Sequence, residues 1–227
     1  MKFESYADRG VDAAVELINR LSPGWSQGRL WSLPSGSAER RELARQVEAK
    51  IADRPVALSG RAGEELIQLA RDLRSVVELM SQARPNEAAE LVNQLLIRYQ
   101  AAPQLARHDG EAWHLHFHSQ AQEAGQAMAR GATCVIALAV VIGSPGGTRL
   151  GICSAGHCDR AFIDTSKNGS RRFCSPSCLS RTKVAAFRAR RAALGASLAA
   201  AQPPPLGEIP AVAALDRLRR RGRVRSK

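Results

Sequence analysis

The sequence predicts a mainly α-helical protein with a small α+β part. Aromatic residues make up only 4% of the 227 residues, so the core must consist mostly of Ala, Leu, Val and Ile, which favours packed helices. Apolar residues recur three and four positions apart over much of the N-terminal part, as in amphipathic helices. After these helices in the sequence, two close pairs of cysteines predict a small module folded around a metal.

Five helices are predicted from this periodicity: Val11–Leu21, Ala38–Ile51, Gly63–Met80, Asn86–Tyr99 and Gln120–Ile142. Ser37 precedes the second helix as a candidate N-cap, and Pro85 opens the fourth. The longest apolar run, Ala132–Ile142, is shorter than the about 20 residues that cross a membrane, so it predicts a buried core helix. Cys134 in that run is expected to behave as a small core hydrophobe.

A short strand is predicted between the fourth and fifth helices. Over residues 113–118 apolar side chains alternate with His114, His116 and His118, which is the period of a strand with one buried face. Two such histidines could share a metal in an enzyme, with Asp109 and Glu111 as the nearby carboxylates. Histidines on an alternating strand are more often solvated, so we predict no enzymatic activity.

Breaks in composition divide the chain into three parts. The glycine-rich segment 143–147 ends the fifth helix, and an Ala- and Pro-rich stretch over 195–210 follows the cysteine module. We therefore predict a helical domain over 1–147, a zinc module over 148–194, and a flexible linker with a basic tail over 195–227. The helical domain is expected to stay folded without the metal.

Positive charge is concentrated in the C-terminal part. Of 33 basic and 21 acidic residues, 14 and 2 lie from Arg171 onward, so this part carries the whole formal charge of +12. Such a surface favours a phosphate-rich partner, although a basic tail can also serve only to keep a protein soluble. The N-terminus lacks the apolar segment of a signal peptide, which predicts a cytoplasmic protein with no membrane partner.

The four clustered cysteines have the spacing of a tetrahedral zinc site. Cys153 and Cys158 form one pair, and Cys174 and Cys178 follow after 15 intervening residues. In a reducing compartment such pairs bind metal rather than form disulfides. Four thiolates fill the coordination sphere of zinc, so the ion would be structural. His157 is a rival for the position of Cys158.

The cysteine module is expected to fold as a zinc knuckle, a hairpin and a helix. Ser175 followed by Pro176 predicts an N-cap and a first helical residue, which places Cys178 in the first turn. There the helix dipole stabilises a thiolate. Three apolar residues of the helix are expected to anchor it to the knuckle: Val184, Phe187 and Leu194.

A basic ridge is predicted along the same helix. Arg181 and Arg188 are seven residues apart, as are Lys183 and Arg190, so each pair projects from nearly the same side, about 10 Å apart. A ridge of this kind can follow phosphates or enter a major groove, whereas the alternative is a merely solvated face. The residues expected to contact nucleic acid are Arg171, Arg172, Arg181, Lys183, Arg188, Arg190 and Arg191.

Further motifs surround the cysteines. Phe162-Ile163-Asp164-Thr165-Ser166 lies between the pairs, Arg171-Arg172-Phe173-Cys174 leads into the second, and Arg181-Thr182-Lys183 follows it. Together with the cysteine spacing, they resemble the CGNR zinc finger, which is C-terminal in bacterial proteins that begin with an ABATE domain. The mostly helical first 145 residues are loosely similar to that domain. The tetrapeptide that names the family is Cys178-Leu179-Ser180-Arg181 here, with its Gly and Asn replaced.

The resemblance implies a zinc-dependent transcription regulator that is linked to stress responses and associated with the nucleoid when bound. DNA is favoured over RNA as the partner, with an RNA-binding protein or a protein-interaction module as the alternatives. The N-terminal domain is expected to sense a small-molecule ligand or to form a homodimer. Zinc binding should survive the replaced tetrapeptide residues, whereas a contact made by the family's Asn would be lost.

Overall fold

The computed structural model describes residues 3–107, 113–119, 125–144 and 149–200, with the backbone alone for 3–8, 106, 114–119 and 198–200. The helices in these ranges are α1 (Phe3–Leu21), α2 (Ser37–Ala52), α3 (Gly60–Ser81), α4 (Pro85–Arg98), α5 (Gly125–Gly143) and α6 (Pro176–Ala200). The strands there are β1 (Gly24–Ser26), β2 (Arg29–Trp31), β3 (Ala101–Ala106), β4 (His114–Ser119), β5 (Leu150–Ile152) and β6 (Ala161–Ile163). The predicted mainly α fold with a small β part is confirmed.

α3 is the central helix of the core. It contacts α1, α2, α4 and α5, and its buried positions follow helical spacing from Leu66 to Leu73 and beyond. The helix starts behind Ser59, whose Oγ accepts a hydrogen bond from the Ala62 backbone N–H at 3.2 Å. This cap satisfies one of the N–H groups that a helix start leaves free. The largest side chains buried around α3 come from α1 and α5: Leu17, Ile18, Leu21 and Leu138.

α5 is long and apolar enough, by length and composition alone, to cross a membrane. Its buried residues run from Ala127 to Leu138, and it packs against α1, α3 and α4. Cys134 is fully buried, and this burial raises the pKa of its thiol to about 12. The packing agrees with the predicted core helix, and Cys134 is the inert core residue that was expected.

The helix boundaries differ from the predicted ones at the N-terminal ends. Ser37 is the first residue of α2, and Gly36 is the N-cap, so the prediction of Ser37 as the cap is wrong. The reason is local, because the Gly36 carbonyl already accepts the helical hydrogen bond of Arg40 at 3.0 Å. α1 begins at Phe3, ahead of the clear apolar spacing, whereas Pro85 opens α4 as predicted.

The strands of the described residues form three antiparallel hairpins. β4 confirms the predicted strand, and its partner β3 was not predicted because Pro103 interrupts the strand signal. For His114, His116 and His118 only the backbone is described, and Asp109 and Glu111 lie outside the described residues.

The chain divides into two compact units, Met1–Arg181 and Thr182–Lys227. In the first unit, β5 packs against α3 and β6 against α1, so the cysteine module shares a core with the helices. In the second unit the structure describes residues up to 200, all of them in α6. Val184, Phe187 and Leu194 are 47%, 53% and 64% exposed there, which contradicts the predicted anchoring of the helix by these side chains.

Candidate metal centre

The side chains of the four cysteines meet in one cluster. Cys153 and Cys158 lie in the loop between β5 and β6, Cys174 precedes α6, and Cys178 lies in its first turn. All four sulfurs lie within 4.8 Å of one another, and Cys174 Sγ is 3.7 Å from both Cys158 Sγ and Cys178 Sγ. A tetrahedron with zinc–sulfur bonds of about 2.3 Å has edges of about 3.8 Å. The cluster therefore has the size that one zinc ion requires.

Local backbone structure brings the two cysteine pairs together. The Cys153 backbone N–H donates to the Arg160 carbonyl at 2.9 Å, which closes the loop of the first pair. Ser175 Oγ accepts from the Cys178 backbone N–H at 3.3 Å, so the predicted cap of the last helix is confirmed. The Cys174 backbone N–H points at Cys153 Sγ, 3.4 Å away, and joins the two pairs.

The thiols of the cluster differ in how readily they ionise. Burial raises the pKa of Cys153 and Cys174, and for Cys174 the nearby Cys153 and Cys158 raise it further. Burial also opposes ionisation of Cys158, but hydrogen bonds from the backbone N–H groups of Arg160 and Gln27 and from the thiols of Cys178 and Cys174 together outweigh it and lower the pKa. Crowded thiolates of this kind need a cation between them. Four sulfur donors are a standard ligand set of structural zinc, so these residues fit that ion.

The segment between the cysteine pairs is held by Asp164, which is only 3% exposed. Its carboxylate accepts hydrogen bonds from the Ser166 hydroxyl at 2.5 Å and from the backbone N–H groups of Ser166 and Arg171 at 2.8 and 2.6 Å. The Ser166 hydroxyl and these backbone groups lower the pKa of Asp164. The Arg171 guanidinium lies 5.3 Å from the centre of the Phe162 ring. The Phe162-x-Asp164-x-Ser166 motif therefore holds the segment between the two cysteine pairs in its fold.

The seven cations predicted to contact nucleic acid fall into two groups. Arg171 donates to the carbonyl oxygens of Phe173 and Cys174 at 2.8 and 2.5 Å, and Arg181 donates to the Gly156 carbonyl at 2.5 Å. These two side chains brace the cysteine loops. Arg171 is nevertheless exposed, and so are all five side chains of the other group: Arg172, Lys183, Arg188, Arg190 and Arg191.

Sequence reasoning missed that the β1–β2 hairpin lies against the first cysteine pair. The backbone N–H of Asp159 donates to the Trp25 carbonyl at 3.0 Å, and that of Gly28 donates to the His157 carbonyl at 2.8 Å. The His157 ring packs against Trp25 with 4.7 Å between the ring centres. In the described part of the chain, the group of side chains suited to a metal consists of the four cysteines without His157. The turn residues 27–28 are the one local signal that could have predicted this hairpin.

A cavity of about 550 Å³ lies between α1, α2 and α5. Charged side chains line it, among them Glu16 and Lys50, which form an ion pair at 2.9 Å. Arg130 also lines it and binds the nearly buried Glu48 through two nitrogens, at 2.7 and 3.0 Å. The volume is within the range of small-molecule sites.

Comparison with protein families gives two matches. The family model ABATE, described as "Putative stress-induced transcription regulator", matches residues 14–142, which is more than half of the chain. The model described as "CGNR zinc finger" matches residues 149–191, the segment that contains the four clustered cysteines. No curated protein is significantly similar to the chain.

Proposed function

Because the chain belongs to the ABATE family and contains a CGNR zinc finger, we propose that it is a zinc-dependent, DNA-binding transcription regulator. One structural zinc ion is held by Cys153, Cys158, Cys174 and Cys178. The observation that carries the proposal is the group of exposed cations that accompanies this cluster, in a segment without acidic residues from 171 to 207. A fixed cluster followed by a cationic helix suits a polyanionic partner.

We assign the phosphate contacts to the five exposed cations rather than to Arg171 and Arg181. The two bracing arginines already donate to carbonyl oxygens of the finger, so a phosphate would have to compete with these bonds. The five phosphate contacts of the finger alone would give a slope of about −4.5 for the logarithm of affinity against that of salt concentration, and contacts of the tail arginines would make it steeper. Affinity would then fall roughly 500-fold between about 50 and 200 mM salt.

The test is fluorescence anisotropy of the zinc-loaded full chain with labelled duplex DNA, an RNA hairpin and single-stranded DNA over this salt range. We expect the tightest binding to duplex DNA, with the steep slope given above. Tighter binding to the RNA hairpin would favour the alternative, an RNA-binding protein. A flat salt dependence would contradict nucleic-acid binding and favour an interface with another protein.

A pair of double variants tests which cations take part. Lys183→Ala with Arg190→Ala should reduce the salt slope by about 2, since two phosphate contacts are lost. The matched control is Arg45→Ala with Arg61→Ala, which removes the same charge from side chains paired with glutamates in the helical domain. Equal effects of the two variants would show that net charge matters and that the finger helix does not.

We propose no enzymatic role for the chain. Neither matched family is an enzyme family, and four thiolates leave no open coordination position on zinc. The competing metal-dependent enzyme would use the strand with His114, His116 and His118. Metal analysis of the purified chain separates these possibilities, since we expect one zinc per chain, and a second bound metal would support the histidine site.

For the domain over 1–147 we propose a sensing role in a cytoplasmic protein, with the cavity between α1, α2 and α5 as the ligand site. The charged side chains in its lining favour a small polar ligand over an apolar one. Thermal-shift screening of amino acids and nucleotides should find a stabilising compound whose effect is lost in Thr133→Tyr, which fills the cavity. The alternative role, a homodimer, would show as a doubled mass in light scattering.

A further inference from the structure

The turn of the β1–β2 hairpin contacts the residues around the second cysteine through the backbone. The Trp25 carbonyl accepts from the Asp159 backbone N–H at 3.0 Å, and the Asp159 carboxylate accepts from the Trp25 backbone N–H at 3.0 Å. In the turn between β1 and β2, the Gly28 backbone N–H donates to the His157 carbonyl at 2.8 Å. Both neighbours of Cys158 are thus held by a hairpin more than 120 residues earlier in the chain.

The hairpin also reaches two residues of the metal centre itself. The Gln27 backbone N–H hydrogen-bonds to the Cys158 sulfur, and the Gln27 side chain lies 3.5 Å from Ser175 Oγ, the cap of α6. Hydrogen bonds to a coordinating sulfur reduce its negative charge and fix its orientation. Replacing a residue that makes such a bond typically weakens metal binding about 10- to 100-fold.

The helical core also holds the same cysteine loop. Asn19 of α1 accepts from the Ala161 backbone N–H at 2.9 Å and donates to the Ala161 carbonyl at 3.0 Å, as a neighbouring strand would. Arg74 of α3 lies 3.6 Å from the Asp159 carboxylate and is 17% exposed. Two core helices are therefore tied directly to the residues that follow Cys158.

The close approach of the hairpin depends on two glycines. Gly24 has a φ of 148°, and a Cβ added there would collide with the Asp159 carboxylate. Gly28 has a φ of 93°, and a Cβ there would lie 3.2 Å from the Arg181 guanidinium carbon. Side chains are disfavoured at both positions, by backbone conformation and by space. The fit between the hairpin and the finger is thus specific in shape as well as in hydrogen bonds.

We propose that residues 24–31, together with Asn19 and Arg74 of the helical core, position the zinc centre, and that these contacts couple zinc binding to the stability of that core. This inference rests on the zinc site proposed above and is independent of DNA binding. Since zinc binds the folded finger, the contacts that hold the finger in place strengthen zinc binding, and zinc strengthens those contacts by the same factor. Loss of zinc would loosen the hairpin and its attachment to α1 and α3. The metal state of the finger is in this way transmitted to the helical domain.

The first test measures zinc affinity of the full chain by competition with a chromogenic chelator. Asn19→Ala and Asp159→Ala should each weaken zinc binding about tenfold, which corresponds to about 1.4 kcal/mol. Asp159→Asn should have a smaller effect, because an amide oxygen can still accept from Trp25. The matched control is Tyr99→Phe, which removes the 2.9 Å hydrogen bond to Asp72 in the helical core without touching the hairpin.

Tyr99→Phe should leave zinc affinity within twofold of the unaltered chain. Unchanged zinc affinity in both Asn19→Ala and Asp159→Ala would overturn the inference. So would an equal weakening in Tyr99→Phe, because zinc affinity would then follow global stability rather than the contacts of Asn19 and Asp159. A full chain that binds no stoichiometric zinc would overturn the zinc site itself, and this inference with it.

The second test is hydrogen exchange of the full chain before and after zinc removal by a chelator. The backbone N–H groups of Trp25, Gly28 and Ala161 should lose protection, since their acceptors lie in the zinc loop or are held against it. The N–H groups within α4 should keep theirs. Unchanged protection at Trp25 and Gly28 after zinc removal would refute the coupling.

Discussion

Zinc affinity should rise with pH, and it should go on rising to a higher pH than it would for a cluster of ordinary thiols. Zinc binds thiolates, so every thiol that is protonated in the zinc-free protein releases a proton when the metal binds. Cys153 and Cys174 have a raised pKa because they are buried, so at least these two protons are displaced at neutral pH. Two displaced protons make zinc affinity rise 100-fold per pH unit, about 2.7 kcal/mol.

The direction in which zinc affinity changes with pH, and the pH range of that change, follow from the direction of the pKa shifts. A raised thiol pKa favours the protonated, zinc-free form, so affinity increases with pH until the pH passes that pKa. For unperturbed thiols the rise would level off near the ordinary pKa of 9.0, and the raised values extend it beyond that point. Cys158, whose pKa is lowered, stops contributing earlier.

The assay is chelator competition at intervals between about pH 6.5 and 9.5, with proton release measured by calorimetry in buffers of different ionisation enthalpy. Cys134→Ala is the control, because that buried thiol lies in α5 and takes no part in the cluster. Release of fewer than one proton per bound zinc, or a zinc affinity that stops rising at about pH 8, would refute the reasoning.

Three further predictions concern the cysteine ligands, Asp164 and the C-terminal tail. Replacing Cys153 and Cys178 together by Ser should abolish stoichiometric zinc in metal analysis, because two remaining thiolates cannot hold a structural ion tightly. Asp164→Ala should weaken zinc binding in chelator competition, whereas Asp164→Asn should retain part of the affinity; equal affinities would contradict a bracing role for this carboxylate. Deleting the tail over 211–227 should weaken binding to all DNA sequences alike and flatten the salt slope in anisotropy titrations, since we expect the tail arginines, which follow the Pro-rich segment 203–205, to add phosphate contacts without base contacts.

The features that the sequence predicts well are those encoded by near neighbours. Apolar spacing identifies the long helices because the buried face of α3 repeats within the helix itself. Cysteine spacing identifies the cluster because each pair is local, and Ser175-Pro176 marks the start of α6 because a cap and its helix are adjacent. For the same reason the alternating residues around His116 identify β4.

The features that the sequence does not predict depend on distant partners. β1 and β2 have three residues each, and their contact with the finger joins Trp25 to Asp159 across 134 positions. Nothing near either residue indicates that contact. Charge counting likewise treats Arg171 and Arg181 as free cations, whereas in the folded finger their donors bind carbonyl oxygens.

The places of residues 178–181 on α6 show why two residues of the family's tetrapeptide can be replaced here. The two retained residues are engaged in the finger: Cys178 is fully buried in the cluster, and Arg181 lies 3.9 Å from the Cys178 sulfur while it donates to the Gly156 carbonyl. Leu179 is 39% exposed and Ser180 is exposed, so their side chains are not needed to hold the metal. Zinc binding can therefore persist without the family's Gly and Asn, and a change at these two positions alters what the finger presents to a partner.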